Sequence, residues 1–250
     1  DIYIPPGSND ASTSIGSAFE VARILSSSKQ YNINHLKCAQ IGKEYSNDEI
    51  QMALINNHIP YDYLDDPYLI DKVSSDISQG MIIAWHMGKS EFGPRALGGR
   101  SLLGDPRNRN TLVKINKLKG REQWRPLAPS ILEEDYYEFF KAIPCKLNNF
   151  MLLTAPVDPE KAKLIPALTH IDYSTRPQSV NRDDQPLFYK LIVKFKEITG
   201  IPMIVNTSLN NAGEPLTLSP VDTINFFIRN PMVDRLAIGN FYIDKKRIVL

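Results

Sequence analysis

The sequence predicts an α/β fold built on a twisted, mixed β-sheet. Short apolar segments of strand length, such as residues 81–85 and 201–205, alternate irregularly with amphipathic helical segments. The chain has 250 residues and is 42% hydrophobic, so it can bury a sizeable core as one large or two smaller domains. No internal repeat or low-complexity segment interrupts this pattern.

Composition limits the classes of partner. A net charge of +1 argues against a general nucleic-acid or membrane-surface binder, so local arginine clusters are interpreted as sites for small anions. Cys38 and Cys145 are far apart and lack CxxC spacing, which indicates neither a disulfide framework nor a zinc site and favours a cytoplasmic protein. No apolar run approaches the length of a membrane span, and the first residues lack the charged and apolar regions typical of a signal peptide. Because it begins at Asp1 without methionine, we expect the C-terminal part of a longer protein.

The first elements follow from caps and periodicity. Residues 17–28 have helical apolar spacing after a turn-rich entry, and the capping box Ser46 to Glu49 begins a helix that ends near Asn56. Asp66 and the proline after it open a helix with apolar positions on one face. Gly80 ends that helix before the strand at 81–85, and residues 91–107 are predicted to be a loop.

The second half alternates in the same way. We expect helices at 110–119, at 185–199 with Gly200 as the stop, and from the capping box at Ser219 to Asn230. We expect strands at 126–132, 150–157, 201–205 and 235–243, and a loop at 206–215.

Three segments are candidate anion or nucleotide sites, each with an ordinary structural alternative. Arginines in a glycine-rich loop at 91–107 suggest backbone held close to an anion, although solvated arginines would give the same pattern. A cation group at 119–125 is also typical of a surface helix end. Hydroxyl and amide side chains at 206–215 can hold a ribose or phosphate, but they are ordinary turn residues too.

These segments resemble motifs of the O-carbamoyltransferase family, which includes nodulation and antibiotic-biosynthesis enzymes. EFGPRALGGRSLLGDPR at 91–107 is similar to the family's EFGPRALGNRSILADPR, with Gly99 replacing Asn and Gly104 replacing Ala. Residues 119–132 resemble KxREXXRPXAPSXL, and 206–215 resemble NTSFNxxGEP. Residues 170–180 resemble HVDGTARVQTV, with Tyr173 replacing Gly. The turn-rich segment at 4–18 resembles PxxGDxGxAIGAA, with Ser12 replacing a glycine.

The resemblance implies a domain organisation and a reaction. Residues 1–30 would be the tail of an actin-like domain, 31–65 a connector and 66–250 a YrdC-like domain. Family enzymes use ATP with Mg and carbamoyl phosphate to make carbamoyladenylate in the YrdC-like domain. They then transfer the carbamoyl group to a hydroxyl of a sugar or secondary metabolite in the actin-like domain, which holds iron or another divalent metal. The implied partners are these small molecules and the upstream actin-like domain, with no nucleic acid or membrane.

The resemblance also implies roles for particular residues. It assigns the contacts with phosphate and with the carbamoyl group to Lys119, Arg121 and Arg125. The further binding residues are Arg95 and Arg176, which close the site, Ser208 and Asn210, which orient the nucleotide, and Arg100 and His170. Asp10 matches a metal ligand of the family, although it could simply cap the following helix.

Two other functions remain open from the sequence. One is a threonylcarbamoyladenylate-forming enzyme of tRNA modification, whose corresponding motifs would look alike. The other is a nucleotide-binding module with a regulatory role and no turnover.

Overall fold

A computed structural model describes residues 7, 9–26, 38–141 and 146–248. Its strands are β1 (Asp62–Tyr63), β2 (Ile83–His86), β3 (Arg100–Gly104), β4 (Ala128–Leu132), β5 (Ala155–Pro156), β6 (Ser174–Thr175), β7 (Gln178–Val180), β8 (Met203–Ser208), β9 (Arg235–Ile238) and β10 (Phe241–Asp244). Its α-helices are α1 (Ser12–Leu25), α2 (Asn47–Asn56), α3 (Asp66–Ser78), α4 (Arg109–Leu118), α5 (Tyr136–Phe139), α6 (Pro159–Ala162), α7 (Pro186–Thr199) and α8 (Pro220–Arg229).

Within the described residues, eight strands form one sheet in the order β1-β10-β9-β2-β3-β8-β4-β7. The β2–β9 and β4–β7 pairs are parallel, while the remaining pairs are antiparallel. This mixed sheet confirms the predicted α/β fold class. β5 and β6 form a separate antiparallel pair.

Helices cover both faces of the large sheet. Neighbouring residues of a strand point to opposite faces. On β2, the Trp85 ring packs against Phe188 of α7, with ring centroids 6.3 Å apart. The next residue, His86, places Nδ1 2.7 Å from Thr223 Oγ1 of α8. Since α3 contacts α7 and α2 contacts α8, one face carries α3 and α7 and the other carries α2 and α8.

The helices with clear caps were predicted well. Both capping boxes are formed, at Ser46 before α2 and at Ser219 before α8. Gly200 ends α7 in the left-handed conformation, with φ of 75°. α1 begins at Ser12, earlier than predicted, and none of its side chains is buried.

The prediction that 91–107 is a continuous loop is wrong for Arg100–Gly104, which form β3 between β2 and β8. Arginine and glycine are unusual in a buried strand. Nη1 of the fully buried Arg100 donates to the carbonyls of Met87, Gly88 and Gly99, while its Nη2 has no hydrogen-bond partner among the described residues. Gly104 leaves room for a methyl group of Thr111. These tertiary contacts outweigh the loop-like composition.

Two predicted strands are also corrected. Of residues 150–157, only Ala155–Pro156 are strand, because a 3₁₀ helix ends at Phe150 and Met151 has a left-handed φ of 54°. The predicted strand 235–243 is a hairpin of β9 and β10, since Gly239 turns the chain with φ of 53°. At 206–208 the expected loop continues β8 instead.

The predicted connector contributes to the same core where it is described. Ile50 and Leu54 of α2 are buried among the core residues, and β1 pairs with β10 at the sheet edge. Residues 27–37 and Cys145 lie outside the described residues, and the predicted domain boundaries stay predictions. No helix in the described part of the chain is long and apolar enough to cross a membrane.

Candidate active site

Lys119 is the centre of the candidate site. It caps the C-terminus of α4, and it is buried although α4 exposes its other lysines. Its Nζ lies 2.6 Å from Ser208 O, 2.9 Å from Ser208 Oγ, 3.1 Å from Asn210 O and 2.8 Å from Asn210 Oδ1. All four acceptors are neutral, so these contacts orient the ammonium without compensating its charge.

The Lys119 contacts explain the positions of Ser208 and Asn210. Ser208 ends β8, and its Oγ donates to Asn210 Oδ1 at 2.6 Å. Asn210 Nδ2 donates to Glu214 O at 2.6 Å, which closes the following turn. The structure therefore places the predicted site residues Lys119, Ser208 and Asn210 in contact with one another, while their predicted roles toward a nucleotide stay predictions.

Arg121 and Arg125 lie on a short loop after Lys119. Asn116 of α4, fully buried, accepts from Arg121 Nε at 2.7 Å and donates from Nδ2 to Arg125 O at 2.9 Å. Sequence reasoning missed Asn116. An amide on the apolar face of a predicted helix was the available signal, because a buried amide needs partners. The Arg125 contact with Glu122, at 3.7 Å between exposed side chains, is a weak ion pair.

Two more arginines add positive charge at the same place. Burial, together with the charges of Arg95 and Arg121, lowers the pKa of Arg176 to about 10. Arg176 Nε is buried and has no hydrogen-bond partner within the described residues. We call Lys119, Arg121, Arg125, Arg95 and Arg176 the cation cluster. Mutual repulsion among cations indicates a site that an anion would stabilise.

The cation cluster borders a cavity of about 310 Å³, here called the cation cavity. Three members of the cluster, Lys119, Arg121 and Arg125, line it together with Gly120, the carboxylate-bearing Glu122, Ser208 and the residues from Asn210 to Gly213. Burial, followed by repulsion from Arg121, lowers the pKa of Lys119 to about 7. A lysine of this kind is sensitive to a bound phosphate, which would favour its charged form.

Arg100 and Arg107 are in different surroundings. Arg100 lines a separate cavity of about 900 Å³, and burial lowers its pKa to about 10. Arg107 pairs with Asp105 at 2.7 Å and donates to Ser78 O at 2.8 Å, so it ties the chain to the end of α3. Asn210 lines both cavities and separates them.

The glycine-rich segment holds an anion, but that anion is the chain's own Glu91. Its Oε1 accepts from the backbone amides of Leu97 at 2.8 Å, Gly99 at 2.7 Å and Arg100 at 3.0 Å. Glu91 was not among the candidate residues, because its contacts depend on how residues 92–100 fold back. The carboxylate fixes the segment that carries Arg95.

A buried amide network fixes the same segment from the sheet. Gln178 Nε2 donates to Leu97 O at 2.9 Å, and Asn206 Nδ2 donates to Ala96 O at 3.2 Å. Gln178 Oε1 also accepts from Ser130 Oγ at 2.6 Å. Strands β4, β7 and β8 thus position the backbone next to Arg95, which sequence patterns did not reveal.

Comparison with known proteins now identifies the family. A family model described as Carbamoyltransferase C-terminus matches residues 74–245. The chain belongs to this carbamoyltransferase family. Over 98% of its length, it is 36% identical to nodulation protein NolNO of Sinorhizobium fredii, of which it covers 36%. It is 34% identical to nodulation protein NolO of Bradyrhizobium diazoefficiens, of which it covers 45%. The chain thus spans less than half of the length of these relatives.

The similarity to a solved structure is weaker. The crystal structure of full-length HypF in the phosphate- and nucleotide-bound form matches 76% of this chain and 23% of that chain, with 15% identity and a TM-score of 0.49. The YrdC-like and actin-like assignments therefore stay predictions.

The structure explains both glycines that depart from the family pattern. At Gly99 a Cβ would lie 2.8 Å from the backbone oxygen of Lys89. At Gly104 a Cβ would lie 2.6 Å from Thr111 Cγ2 and 3.3 Å from Ile82 Cδ1. In this chain the neighbouring atoms occupy the space that a larger residue would need.

We therefore expect Gly104→Ala to lower the free energy of unfolding by about 1–3 kcal/mol, although alanine is usual at this position in the family. Urea denaturation measures the change. Thr111→Ser, which removes the opposing methyl group, should restore part of the loss in the double variant. Gly16→Ala in α1, where nothing lies within 4 Å of an added Cβ, is the matched control. A stable Gly104→Ala variant would contradict the close packing.

The remaining candidates are placed as follows. His170 begins a turn in which Tyr173 N donates to its carbonyl at 3.0 Å, and its Nδ1 is 3.0 Å from Asp172 Oδ1. Asp10 is exposed before α1 and makes no side-chain cap, so the capping alternative is not observed. Among the described residues, no group of three His, Cys, Asp or Glu side chains could hold a metal. The metal role of Asp10 stays a prediction.

Proposed function

We propose that this chain is the adenylate-forming part of an O-carbamoyltransferase. Membership of the carbamoyltransferase family supports a transferase. The cation cluster is the observation that carries the finer proposal. Its Lys119 ammonium contacts neutral acceptors, and Arg176 Nε has no hydrogen-bond partner among the described residues. Such a cluster suits a substrate with several phosphate charges, and ATP together with carbamoyl phosphate supplies them.

The proposed reaction depends on the positioning of its substrates and on cations that stabilise developing negative charge. Hydrolysis of carbamoyl phosphate gives carbamate and phosphate. A carbamate oxygen then attacks the α-phosphorus of ATP, and the bond from that phosphorus to the bridging oxygen breaks. Pyrophosphate leaves with the electron pair, and carbamoyladenylate remains. Charge grows on the phosphoryl oxygens during this step, so preorganised cations lower the barrier without a covalent nucleophile.

The residues take separate roles in this proposal. Lys119, Arg121 and Arg125 contact the phosphates and the carbamoyl group, while Arg95 and Arg176 close the site around them. Ser208 and Asn210 hold the Lys119 ammonium and, through it, orient the nucleotide. Arg100 lines the neighbouring cavity, and His170 lines a third one, so their contacts with substrate would be made at the edges of the site.

Transfer to an alcohol is proposed for the whole protein, whose actin-like domain would supply the acceptor site and its metal. The substrates would be MgATP, carbamoyl phosphate and a sugar or secondary-metabolite hydroxyl. An adenylate of this type hydrolyses easily, so a second site that receives it away from water has a physical purpose.

Pyrophosphate release tests the proposed function. Purified residues 1–250, given MgATP and carbamoyl phosphate, should release pyrophosphate without threonine and should carbamoylate no alcohol. A requirement for threonine would instead indicate the threonylcarbamoyladenylate reaction. ATP binding without any pyrophosphate release under either condition would favour a nucleotide-binding module.

The pH dependence of ATP binding should follow the protonation of Lys119. Its pKa of about 7 means that the free ammonium loses its proton as pH rises above 7, which removes a positive charge from the cation cavity. We therefore expect ATP affinity to fall between pH 7.5 and 9, by up to about tenfold per pH unit. Calorimetric titration measures it. Lys119→Arg keeps its charge over this range and should give a flat profile, and an equally flat parent profile would contradict this role.

A further inference from the structure

A second cavity is lined by residues that neighbour members of the cation cluster in the sequence, and it carries exposed aromatic rings. It has a volume of about 550 Å³ and is lined by residues that include Trp124, Tyr173, His170 and Ile171, with Arg109 and Lys163 as cations. We call it the aromatic cavity. Trp124 is 68% exposed, Tyr173 52% and Ile171 90%. Exposed rings beside a cavity of this size are typical of a ligand site, because each could bury apolar area on binding.

Two chain segments connect the aromatic cavity to the cation cluster. Residues 121–125 contribute Trp124 to the aromatic cavity and Arg121 and Arg125 to the cation cluster. The turn at 170–176 contributes Tyr173 to the aromatic cavity and Arg176 to the cluster. Each segment therefore presents an aromatic ring and a guanidinium within a few residues. A ligand with a flat ring and a phosphate chain has this combination of groups.

The backbone at Tyr173 supports a role for its ring. Tyr173 has a left-handed φ of 58°, where a residue other than glycine is strained and glycine would be unstrained. The family pattern has glycine there, so this chain keeps a tyrosine at a position that favours glycine. Asp172 holds the turn, since its Oδ1 accepts from Ser174 N at 2.9 Å and from Ser174 Oγ at 2.6 Å. The ring is thus presented from a rigid turn.

Trp124 is likewise presented from a fixed loop. Asn116 Nδ2 donates to the backbone oxygen of Arg125 at 2.9 Å and, at 3.4 Å, to that of Gln123, the two neighbours of Trp124. The backbone on both sides of the indole is therefore anchored while the indole itself stays exposed. Base stacking on such a ring needs no hydrogen-bond readout.

We infer that the aromatic cavity binds the purine base of the nucleoside triphosphate, with the base stacked on Trp124 and Tyr173 lining the same cavity. The inference rests on the proposed function, because the phosphates of the same nucleotide occupy the cation cluster. Arg109 adds a positive charge to the lining of this cavity, while Lys163, which also lines it, is paired with Glu160. Trp124 and Tyr173 are then binding residues that the sequence motifs did not assign.

Comparing ATP with inorganic tripolyphosphate separates the base from the phosphates. Trp124→Ala should weaken ATP binding by about tenfold and leave tripolyphosphate binding unchanged, because only ATP carries a base. Tyr173→Gly should also weaken ATP selectively, while relieving backbone strain and so raising thermal stability. Tyr68→Ala is the matched control, since Tyr68 is 70% exposed on α3 and lines neither cavity.

Tryptophan fluorescence gives a readout that does not depend on affinity. The chain has two tryptophans, and Trp85 is fully buried with its Nε1 bonded to Gly98 O at 2.8 Å, so a quench by ATP reports Trp124. ATP should quench the emission and tripolyphosphate should not. Trp124→Phe should abolish the quench and keep ATP binding within about threefold.

The outcomes distinguish this inference from the proposed function. If the parent protein binds ATP and tripolyphosphate, and Trp124→Ala leaves their affinity ratio unchanged, the aromatic cavity is not the base site. ATP binding without any quench would overturn the inference in the same way. If the folded parent binds neither ligand, the proposed function fails and the inference fails with it.

Discussion

Arg121→Ala is expected to slow adenylate formation by about 10- to 150-fold, because losing one charge-assisted phosphate contact costs about 1.5–3 kcal/mol. The side chain is half-buried, and its main protein contact is Asn116, so the fold should remain intact. Pyrophosphate release, measured with saturating ATP and carbamoyl phosphate, gives the rate. Circular dichroism confirms that the variant is folded.

Lys117→Ala is the matched control for Arg121→Ala. Lys117 is an exposed cation on α4, two residues before Lys119, and should leave the rate within about twofold. Lys119→Ala should lose activity as Arg121→Ala does, with some added loss of stability where Ser208 and Asn210 lose their partner. Equal rates in Arg121→Ala, Lys119→Ala and the parent would remove both residues from the site.

Glu91→Ala should have the largest effect on stability, lowering the free energy of unfolding by about 3–5 kcal/mol. Three backbone amides lose a charged acceptor in a partly buried segment, and each unsatisfied donor costs free energy. Urea denaturation measures the loss. Glu91→Gln keeps an oxygen acceptor without the charge and should fall between the parent and Glu91→Ala.

The same variants should affect activity through Arg95, which follows Glu91 in the segment that the carboxylate fixes. We expect Glu91→Gln, if folded, to release pyrophosphate more slowly than the parent. Glu197→Gln is the control, because that carboxylate is exposed on α7 and paired with Lys194 at the surface. A change of less than about 0.5 kcal/mol in Glu91→Ala would show that the amides find other partners.

Local signals predicted most helices but not the middle of the sheet. A helix cap or an apolar stripe depends on neighbouring residues of one segment, as at Ser46 and Gly200. Such signals can be recognised without tertiary information. β3 could not, because its Arg100 and Gly104 are stable in a strand only through contacts with distant carbonyls and with Thr111. The β9–β10 turn does have a local signal, since Gly239 followed by Asn240 is typical of a two-residue hairpin turn.

The candidate site divides in the same way. Motif resemblance and charge selected Lys119, Ser208 and Asn210, and the structure places them in contact. The residues that position the cations, Asn116 and Glu91, carry out their roles through backbone groups brought together by folding. Residue type and spacing do not reveal such contacts with backbone groups, so these contacts are found only in the three-dimensional structure.

The most direct test of the account is to trap the intermediate. The chain would be mixed with MgATP and carbamoyl phosphate labelled with ¹³C, quenched rapidly and examined by mass spectrometry. We predict an AMP adduct that carries one labelled carbamoyl group, formed by the parent and strongly reduced in Arg121→Ala. ADP and phosphate as the sole products, or a labelled adduct formed equally by Arg121→Ala, would contradict adenylate formation at the cation cluster.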